Sequence, residues 1–528
     1  MEIKTRIAVI GNDETITMTA LLYKSLVLLH RNLGTVLGVL IVTWLASGIT
    51  MMYVGAMPRL NSETRLERLP ALDFDRVRLT PFEAATSVGL EGDLGRTVLL
   101  DVMERPAYRF GSGPVVTVFA DDGELLFDVP RDQTTAIASR FMNLPVDQVH
   151  EVGVLTEPDI WTYNRGRQMP LYKFRVDDPA GTELYVSAPF GEVTLMTTRR
   201  TRTLAWLGVI PHLLYFPLLR DNPQIWRQVV VWGSGLGCLL ALLGLTLAVT
   251  RSRTPYTGLL RWHYLAGAVF GAFTLTWAFS GLMSMDPWGW PTARGLQLDR
   301  DTFTGGPLDL SRFPAKPSEA WKELGRGQDI KEVEFVRLQD DPYYLVQLTP
   351  ATQGAEQAVP DQLLVAADSL SIREEPFSVE SLMSRLRQAI PDTPIADYQL
   401  LSEDDSYFYS RRGHLPRETS FPILRVKFGD PDETWFYINS KRSELVATIH
   451  RQGRIHRWLY NGLHSLDFAF WYNNWTWDIA LIALSVGGLA SSGAGLFLGF
   501  RRVRRRAGRV ATTVKMPATP RITSQPMK

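Results

Sequence analysis

Four apolar stretches divide this chain, and each is long enough to cross a lipid bilayer. They comprise residues 33–54, 229–249, 264–285 and 479–500. A membrane-spanning helix needs about 20 consecutive apolar residues, so the sequence predicts four such helices. Two long polar loops, at about 55–228 and 286–478, separate them. These loops are expected to fold outside the bilayer, because lipid-exposed irregular backbone is not tolerated within it.

Basic residues predict how these helices are oriented. Arginines occupy the short connection between the second and third stretches, six more follow the fourth stretch, and Lys24 and Arg31 precede the first. Because Lys and Arg concentrate on the cytoplasmic side of a membrane, we expect both chain termini in the cytoplasm. The two long loops are then expected on the far side, which is the periplasm if the cell is a Gram-negative bacterium, and the helices would have inner-membrane lipid as their partner.

The composition excludes several classes of protein and site. The formal net charge is +1, whereas nucleic-acid-binding proteins are usually basic, so we expect no nucleic-acid partner. Cys238 is the only cysteine, which rules out intramolecular disulfides and any iron–sulfur or zinc site built on several thiolates. The sequence has no phosphate-binding glycine loop, no HExxH motif and no recognisable flavin or nicotinamide domain. Any reductant must therefore come from an external electron donor.

The two halves of the chain repeat each other without gaps. Counted from His30 and from His263, glycine recurs at +4 and +8, and Thr, Trp, Ser and Gly recur at +13, +14, +17 and +18. Trp206…His212…Phe216…Asn222 returns 252 residues later (464 − 212 = 252) as Trp458…His464…Phe468…Asn474. The simplest account is a duplication that produced two parallel repeats, related by an axis along the membrane normal.

The two loops carry mainly strand patterns. Residues 114–120 and 124–127 predict two strands joined by an Asp-Gly turn at residues 121–123. Thr80 followed by Pro81 is typical of a capped helix start, and residues 379–387 also predict a helix. The expected units are small α+β folds, each with one helix against an antiparallel sheet, and about two such units in each loop.

A short apolar segment precedes the second and the fourth spanning stretch. The first copy contains Pro211 and is followed by Pro217 and Pro223, which exclude one unbroken helix. Tryptophan and tyrosine crowd the second copy, as is typical of membrane interfaces. We therefore expect a short helix in the outer interface in each half, carrying His212 and His464.

Topology sorts the four repeated histidines into two pairs. His30 and His263 begin the first and third spanning helices, near the cytoplasmic face, whereas His212 and His464 lie near the outer face. A two-fold axis normal to the membrane would bring equivalent residues together. Haem ligation by two histidines needs a neutral imidazole on either side of the iron. The sequence therefore predicts an inner haem between His30 and His263 and an outer haem between His212 and His464.

Alternatives remain open for these positions. A histidine at a membrane boundary can be an ordinary interfacial residue, and small residues at four-residue spacing are often helix-packing contacts. The repeated glycines could therefore admit either a flat macrocycle or a neighbouring helix; they are Gly34, Gly38, Gly267 and Gly271. Trp44 and Trp277 lie about 21 Å beyond the inner histidines and could pack on the outer haem, bridge the two centres or only pack between helices. His456, next to the second apolar segment, is the reserve ligand.

Two polar pairs in the loops are candidate ligand-binding residues. Tyr163 and Arg165 in the first loop correspond to Tyr409 and Arg411 in the second (409 − 163 = 246). They could bind an anionic or chelated ligand above the outer haem. The alternative is a structural ion pair between each arginine and the repeated acids nearby, which are Glu157, Asp159, Glu403 and Asp405.

The histidine motifs carry a family resemblance. They are Leu29-His30-Arg-Asn-Leu-Gly34…Trp44…Ser47-Gly48, Arg261-Trp-His263…Trp277…Ser280-Gly281 and Arg457-Trp-Leu-Tyr-Asn-Gly-Leu-His464-Ser-Leu-Asp-Phe468. Over about residues 25–505 the chain resembles the PepSY-associated transmembrane family, although the first copy has Ile-Pro-His where the family-like form is Gly-Leu-His. The resemblance implies a bacterial inner-membrane protein with periplasmic PepSY-like domains. Members of this kind include haem b-containing ferric-siderophore reductases.

The expected fold is a membrane α-helical four-helix bundle of two parallel pseudo-symmetric repeats, with large extracytoplasmic α+β PepSY-like domains. Its expected segments are an N-terminal cytoplasmic segment (1–24), a first spanning helix (25–54), periplasmic PepSY-like domains (55–200), an interfacial helix with the second spanning helix (201–250), a cytoplasmic loop (251–262), a third spanning helix (263–285), further periplasmic PepSY-like domains (286–452), an interfacial helix with the fourth spanning helix (453–500) and a basic cytoplasmic tail (501–528).

The expected function is electron transfer across the inner membrane through two b-type haems. It would end in the reduction of a ferric siderophore or another periplasmic metal chelate, which makes the protein a ferric-siderophore reductase. The alternative is a membrane-anchored PepSY sensor or binding protein without redox activity, in which the histidines only pack. A permease is disfavoured, because the four apolar stretches contain no acidic residue.

Overall fold

The computed structural model describes most of the chain. It covers residues 2–54, 56–111, 115–251, 255–287, 295–325, 328–349, 362–409, 421–468, 470–471 and 474–514. For residues 2–20 and 508–514, only the helical backbone is described.

Fifteen α-helices occur in the described ranges. In chain order they are α1 (Glu2–Val54), α2 (Ser62–Arg68), α3 (Pro81–Ser87), α4 (Arg131–Met142), α5 (Arg199–Leu207), α6 (Val209–Leu213), α7 (Pro217–Arg220), α8 (Pro223–Thr250), α9 (Gly258–Met283), α10 (Arg300–Thr304), α11 (Ser318–Leu324), α12 (Val379–Ala389), α13 (Arg451–Arg457), α14 (Leu463–Ser465) and α15 (Trp475–Val514).

Fifteen β-strands occur in the same ranges, all within the two long loops. They are β1 (Thr97–Val102), β2 (Arg105–Phe110), β3 (Val116–Phe119), β4 (Leu125–Leu126), β5 (Val149–Leu155), β6 (Leu171–Val176), β7 (Glu183–Ser187), β8 (Glu192–Thr197), β9 (Ile330–Leu338), β10 (Asp341–Leu348), β11 (Gln362–Ala366), β12 (Ile395–Leu401), β13 (Ile423–Phe428), β14 (Trp435–Asn439) and β15 (Glu444–Ile449).

Four helices are long and apolar enough to cross a membrane. The spanning segments are Leu21–Val54 of α1, Pro223–Thr250 (α8), Gly258–Met283 (α9) and Trp475–Ala507 of α15. The prediction of four membrane-length helices is therefore confirmed by length and composition. α1 packs against α8 and α15, and α9 packs against the same two helices. Each spanning helix thus has two others as neighbours.

The starts of these helices follow from local chemistry. At the start of α8, the Asn222 side chain accepts a hydrogen bond from the Ile225 N–H, and Pro223 occupies the first turn, where its missing N–H costs nothing. α1 begins earlier than the apolar pattern indicates, since its helical backbone starts at Glu2. The first proline of the chain is Pro58, so no proline interrupts this long helix.

Each long loop ends in a four-stranded antiparallel sheet. The strand order is β5-β6-β7-β8 in the first loop and β12-β13-β14-β15 in the second. The same turn joins the two central strands of both sheets: Asp178 accepts hydrogen bonds from the Thr182 N–H and hydroxyl, and Asp430 accepts them from Thr434. α4 packs on the first sheet and α12 on the second. Each loop therefore contains an α+β unit with one helix on its sheet.

A third sheet joins the two loops. Its strand order is β11-β10-β9-β1-β2-β3-β4, so both loops supply strands to it. β1 and β9 pair antiparallel at the junction, with Leu99 opposite Val333, and the core beneath them contains side chains from both loops, such as Tyr108 and Phe335. Sequence patterns predict units within each loop and do not indicate this shared sheet. Its physical reason is that pairing β1 with β9 removes two open strand edges.

Short helical pieces connect each four-stranded sheet to the next spanning helix. In the first half they are α5, α6 and α7, and in the second they are α13, a π-helical turn (Trp458–Gly462) and α14. α6 is followed by Leu214, whose φ is 53°, and α14 is followed by Leu466, whose φ is 50°. The expectation that the segment with Pro211, Pro217 and Pro223 does not form one unbroken helix is confirmed. α6 contacts α1, and α14 contacts α9, so His212 and His464 lie beside spanning helices.

Candidate functional site

His30 on α1 and His263 on α9 lie next to each other. Their ring centres are 6.2 Å apart, and the ring planes are inclined by 38°. Nδ1 of His30 lies 3.2 Å from the Leu240 carbonyl oxygen of α8, and Nδ1 of His263 lies 2.9 Å from the Ser491 carbonyl oxygen of α15. A carbonyl oxygen can only accept a hydrogen bond, so both Nδ1 atoms carry a proton. The lone pair of each neutral ring is then on Nε2.

Two glycines make room for these hydrogen bonds. Gly244 and Gly495 each lie one helical turn after the accepting carbonyl. A Cβ atom at Gly244 would lie 2.9 Å from Cε1 of His30, and one at Gly495 would lie 2.9 Å from Cε1 of His263. Both distances are far below an ordinary carbon–carbon contact of about 3.5–4.0 Å. A side chain at either position would therefore displace the imidazole from its carbonyl.

His212 and His464 form a second pair. Their ring centres are 5.9 Å apart, and the ring planes are inclined by 75°. Nδ1 of His212 lies 3.2 Å from Ser47 Oγ and 3.2 Å from the Trp44 carbonyl oxygen, both on α1. Nδ1 of His464 lies 2.9 Å from Ser280 Oγ on α9. Each outer histidine is thus bonded to a serine at the same repeated position, +17.

The two serines determine which nitrogen of each outer histidine is protonated. Each hydroxyl donates its only proton within its own helix, Ser47 to the Thr43 carbonyl at 2.6 Å and Ser280 to the Trp277 carbonyl at 3.0 Å. Towards the histidine each hydroxyl therefore accepts, and Nδ1 carries the proton. Both serines are buried, so water does not compete. All four histidines are consequently held in the tautomer whose Nε2 can bind a metal.

His212 has a lowered imidazole pKa and a regular backbone geometry. It lies outside the spanning segments, and burial lowers the pKa of its imidazole, although the hydrogen bond to the Trp44 carbonyl opposes that shift. Pro211 precedes it, yet the His212 N–H donates to the Gly208 carbonyl at 3.0 Å. The proline in this copy of the motif is therefore compatible with a helical turn at the histidine.

The two histidine pairs lie far apart along the helices. Ser47, which contacts His212, follows His30 by 17 residues on the same helix (47 − 30 = 17). A rise of about 1.5 Å per residue makes this roughly 25 Å along the helix axis. One ligand cannot engage both pairs, so they are two separate sites.

The segments that carry the outer histidines are held differently in the two halves. α6 packs through Val209 and Ile210 into an apolar cluster. The His464 segment instead contains a buried ion pair, in which Arg457 donates to the Asp467 backbone carbonyl at 3.0 Å and the two charged groups lie 3.7 Å apart. The Tyr409 hydroxyl donates to the Asp467 carboxylate at 2.7 Å. The candidate residue Tyr409 is thus part of the framework around His464.

A cavity of about 960 Å³ lies beside the outer pair. His212 and His464 line it, together with Trp44, Trp277 and further side chains from all four spanning helices. Cavities that hold small organic ligands measure roughly 300–1,000 Å³ and are mainly apolar. The size of this cavity therefore suits a large ligand. Trp277 also packs against the apolar cluster around Leu37, so it serves helix packing as well.

The repeated glycines of α1 and α9 lie against neighbouring helices. A Cβ atom at Gly38 would lie 2.8 Å from Leu496 of α15, and one at Gly271 would lie 3.1 Å from Leu245 of α8. The nearest atoms at the other two positions, at 3.7 and 3.4 Å, also belong to α8 and α15; these positions are Gly34 and Gly267. The two short distances favour close helix packing as the role of Gly38 and Gly271, whereas a Cβ atom at Gly34 or Gly267 would make only an ordinary contact.

The geometry of both pairs fits one metal ion with an imidazole on either side. Two metal–nitrogen bonds of about 2.0 Å place the ring centres roughly 6 Å apart, and the separations are 6.2 and 5.9 Å. Two imidazoles are few for a bare ion, and the described residues contain no group of three or more His, Cys, Asp or Glu that could hold one. The donor set therefore fits haem, in which the macrocycle supplies the other ligands.

Tyr163 and Arg165 are engaged within the first loop region. The Arg220 guanidinium lies 5.1 Å from the centre of the Tyr163 ring. Arg165 donates to the Gln168 side chain at 2.9 Å, and burial lowers the pKa of its guanidinium. Both residues thus have structural contacts of their own, and neither lines the cavity beside the outer histidines.

The remaining predicted residues lie elsewhere. Arg411 is outside the described residues. Asp405, one acid of the alternative ion pairs, bonds to Arg425 at 2.8 Å. Nε2 of His456, the reserve ligand, lies 3.2 Å from the Met283 carbonyl oxygen, and the ring is not among those that line the cavity.

The residues that orient the histidines were not predicted from the sequence. Ser47 and Ser280 occur at matched positions, and that match was the available signal. Gly244 and Gly495 recur too, each 18 residues after a tryptophan of its own helix (244 − 226 = 18; 495 − 477 = 18). Their role could not be inferred, because it depends on which helix lies opposite each histidine.

Comparison with known proteins assigns no family to the chain. No protein-family model matches the sequence, and a search of curated proteins finds no match either. Any assignment of function therefore rests on the residues and the geometry described above.

Proposed function

We propose that this protein is an electron carrier of a bacterial inner membrane that holds two b-type haems. His30 and His263 would bind the inner haem, and His212 and His464 the outer one. The observation that carries the proposal is the recurrence of one geometry at two sites. In both, paired imidazoles lie about 6 Å apart, at 6.2 and 5.9 Å between ring centres, and every Nδ1 is bonded to an acceptor that leaves the lone pair on Nε2.

The proposed architecture is a four-helix bundle of two parallel repeats. In each half the first spanning helix orients the outer histidine through a serine, and the second orients the inner histidine through a carbonyl. The serines are 233 residues apart (280 − 47 = 233), and the carbonyls of Leu240 and Ser491 are 251 apart (491 − 240 = 251). This equivalence supports a two-fold axis along the membrane normal.

The chain contributes ligands and their orientation. The iron of each bound haem would carry one electron at a time by alternating between the ferric and ferrous states. The acceptors on Nδ1 fix each imidazole and raise the basicity of its Nε2. Trp44 and Trp277 form part of the wall of the cavity beside the outer site.

We also propose a direction for the electrons. Basic residues accumulate at the His30–His263 end of the helices, which favours a cytoplasmic location for that end. An external donor would supply electrons there. They would leave at the His212–His464 end, beside the sheet-rich, PepSY-like loops, to a ferric siderophore or another periplasmic metal chelate. Each electron would reduce one ferric ion to the ferrous state, which makes the protein a ferric-siderophore reductase.

Spectroscopy of the purified protein tests the haem assignment. We expect two b-type haems per chain in a reduced-minus-oxidised spectrum. His212→Ala combined with His464→Ala should leave one haem, because both ligands belong to one site. His30→Ala combined with His464→Ala should leave none, whereas His456→Ala should retain both. A colourless protein from haem-replete cells would favour the alternative, a membrane-anchored PepSY sensor or binding protein without redox activity.

Reoxidation kinetics test the acceptor. Chemically reduced protein should be reoxidised by a ferric siderophore in the absence of oxygen, with ferrous iron formed in proportion to the haem that is oxidised. The variant with His212→Ala and His464→Ala is the matched control, and it should lose this reaction while its remaining haem is still reducible. Equal reoxidation of both proteins would contradict the proposed exit of electrons through the outer site.

A further inference from the structure

Two arginines at the His30–His263 end of the helices are less exposed than the other basic residues there. Most described Lys and Arg side chains at this end are exposed; these are Lys24, Arg251, Arg261, Arg501, Arg504, Arg505 and Arg506. Arg31 and Arg502 are half-buried instead. Basic residues that only orient a membrane protein can stay in water, because burial of a charge costs free energy unless the charge is paired. The guanidinium groups of Arg31 and Arg502 therefore require a partner of opposite charge.

Helix packing brings the two arginines together. A Cβ atom at Gly499 of α15 would lie 2.7 Å from Thr35 Oγ1 of α1, so the two helices are in close contact there. Arg31 lies one turn before Thr35, and Arg502 lies about one turn after Gly499. Arg31 and Arg502 therefore both lie within about one turn of this contact between α1 and α15. An anion between two neighbouring positive charges would offset their mutual repulsion.

The nearby parts of the chain do not provide that anion. Nε of Arg31 is buried and has no hydrogen-bond partner within the part of the chain that the structure describes. The sequence contains no Asp or Glu in residues 21–54, 223–285 or 479–528. Glu14, the nearest acid before Arg31, is 17 residues earlier on the same helix (31 − 14 = 17), or roughly 25 Å along its axis.

The arginine pair lies next to the inner histidines. Arg31 directly follows His30. Arg502 is seven residues after Gly495, which contacts the His263 ring, so the two positions share one face of α15, about 10 Å apart. We propose that Arg31 and Arg502 bind the propionate carboxylates of the haem that His30 and His263 hold. The inference rests on the proposed function, and planar guanidinium groups suit carboxylates because they form paired, charge-assisted hydrogen bonds.

The opposite side of the inner site is built differently. By the repeat, Arg31 corresponds to Tyr264 (31 + 233 = 264) and Arg502 to Arg251 (502 − 251 = 251). The Tyr264 hydroxyl donates to a backbone carbonyl at 3.2 Å, and the exposed Arg251 guanidinium lies 4.2 Å from the centre of the Tyr23 ring. The two arginines therefore break the pseudo-symmetry, and they direct the propionates towards α1 and α15.

Haem release from matched variants tests the inference. The background carries His212→Ala and His464→Ala, which leaves the inner haem alone, and transfer of haem to apomyoglobin is followed by absorbance. Arg31→Gln combined with Arg502→Gln should accelerate release at least tenfold, because the loss of one charge-assisted hydrogen bond alone corresponds to roughly tenfold to hundredfold. Arg251→Gln, the matched control, should release haem at the unsubstituted rate. An equally fast release from the Arg251→Gln chain would overturn the inference.

A second release experiment uses haem dimethyl ester, whose propionates carry no charge. Its outcome does not depend on the folding of a single variant. The chain with both arginines should release the ester faster than haem, whereas the Arg31→Gln, Arg502→Gln chain should release both at the same rate. Equal release of the two from the chain with both arginines would assign these residues to another anion, such as lipid phosphate, and would overturn the inference. A chain that binds no haem refutes the proposed function instead.

Discussion

The inner and outer histidine pairs hold their imidazoles by different means. His30 and His263 lie on continuous spanning helices and bond to backbone carbonyls, which glycines make accessible. His212 and His464 lie on short helices that end in left-handed residues, and they bond to serine hydroxyls. The inner pair is therefore sensitive to added volume, whereas the outer pair is sensitive to the loss of a polar atom or of the segment that carries it.

The largest effect is expected for Gly495→Val, which should remove one of the two haems. A Cβ atom there would lie 2.9 Å from the His263 ring, so the larger side chain displaces the ligand. The haem-to-protein ratio of the purified variant measures the effect. Gly493→Val is the matched control on the same helix, because a Cβ atom at Gly493 has no neighbour within 4 Å. Loss of haem from both variants, or from neither, would contradict the role of Gly495.

Asp467→Asn tests whether the His464 segment depends on its buried ion pair. Removal of one partner leaves Arg457 buried without its counter-charge, which typically costs about 3–5 kcal/mol. We expect the outer haem to be released at least tenfold faster, with the inner haem unaffected, as measured by transfer to apomyoglobin. Tyr215→Phe changes the equivalent position of the first half (467 − 252 = 215) and should have little effect. An unchanged release rate for Asp467→Asn would show that the ion pair does not support the site.

Ser280→Ala and Ser47→Ala remove the hydroxyl acceptors of the outer pair. Loss of such an orienting hydrogen bond typically lowers metal affinity by about 10–100-fold, and we expect an effect in this range on the outer haem, measured by haem titration. Ser47→Ala should lie at the lower end, since the Trp44 carbonyl remains 3.2 Å from Nδ1 of His212. Thr276→Ala, whose hydroxyl bonds to the Phe273 carbonyl, is the control on α9. A similar loss in that variant would mean that the hydroxyls act only through helix stability.

The smallest effect is expected for Gly34→Ala, which should retain both haems and the thermal stability of the protein. Its new Cβ atom would lie 3.7 Å from Leu240, an ordinary contact, whereas at Gly38 the distance to Leu496 would be 2.8 Å. Gly38→Ala should therefore lower the thermal midpoint in detergent, and Gly34→Ala should not. Loss of the inner haem from Gly34→Ala would instead support contact between this glycine and the macrocycle.

Sequence patterns were sufficient to predict an element where one continuous stretch of the chain contains all the residues that determine it. The four membrane-length helices follow from apolar runs, and the capped start of α3 follows from Thr80 and Glu83, which form a capping box, with Pro81 in the first turn. The pairing of β1 with β9 could not be predicted in the same way. The two strands lie in different loops, and any exposed strand edge of suitable length could have paired with β1.

The candidate site was predictable in part for the same reason. Equal spacing in the two halves identified His30, His263, His212 and His464 as equivalent positions, and the structure brings each predicted pair together. Equal spacing did not reveal the acceptors on Nδ1. Those acceptors come from other helices, and the contact between Ser491 and His263 spans 228 residues of sequence.

By itself, the sequence determined that four helices long enough to span a membrane alternate with two sheet-rich loops, because apolar length and strand periodicity are local properties. Only the tertiary structure decided which atoms accept a hydrogen bond from each imidazole, which glycines contact a histidine ring and which arginines are half-buried. These features depend on the relative register and rotation of α1, α8, α9 and α15, which side-chain packing between helices sets. A shift of one residue in that register would move Gly244 and Gly495 away from the histidine rings.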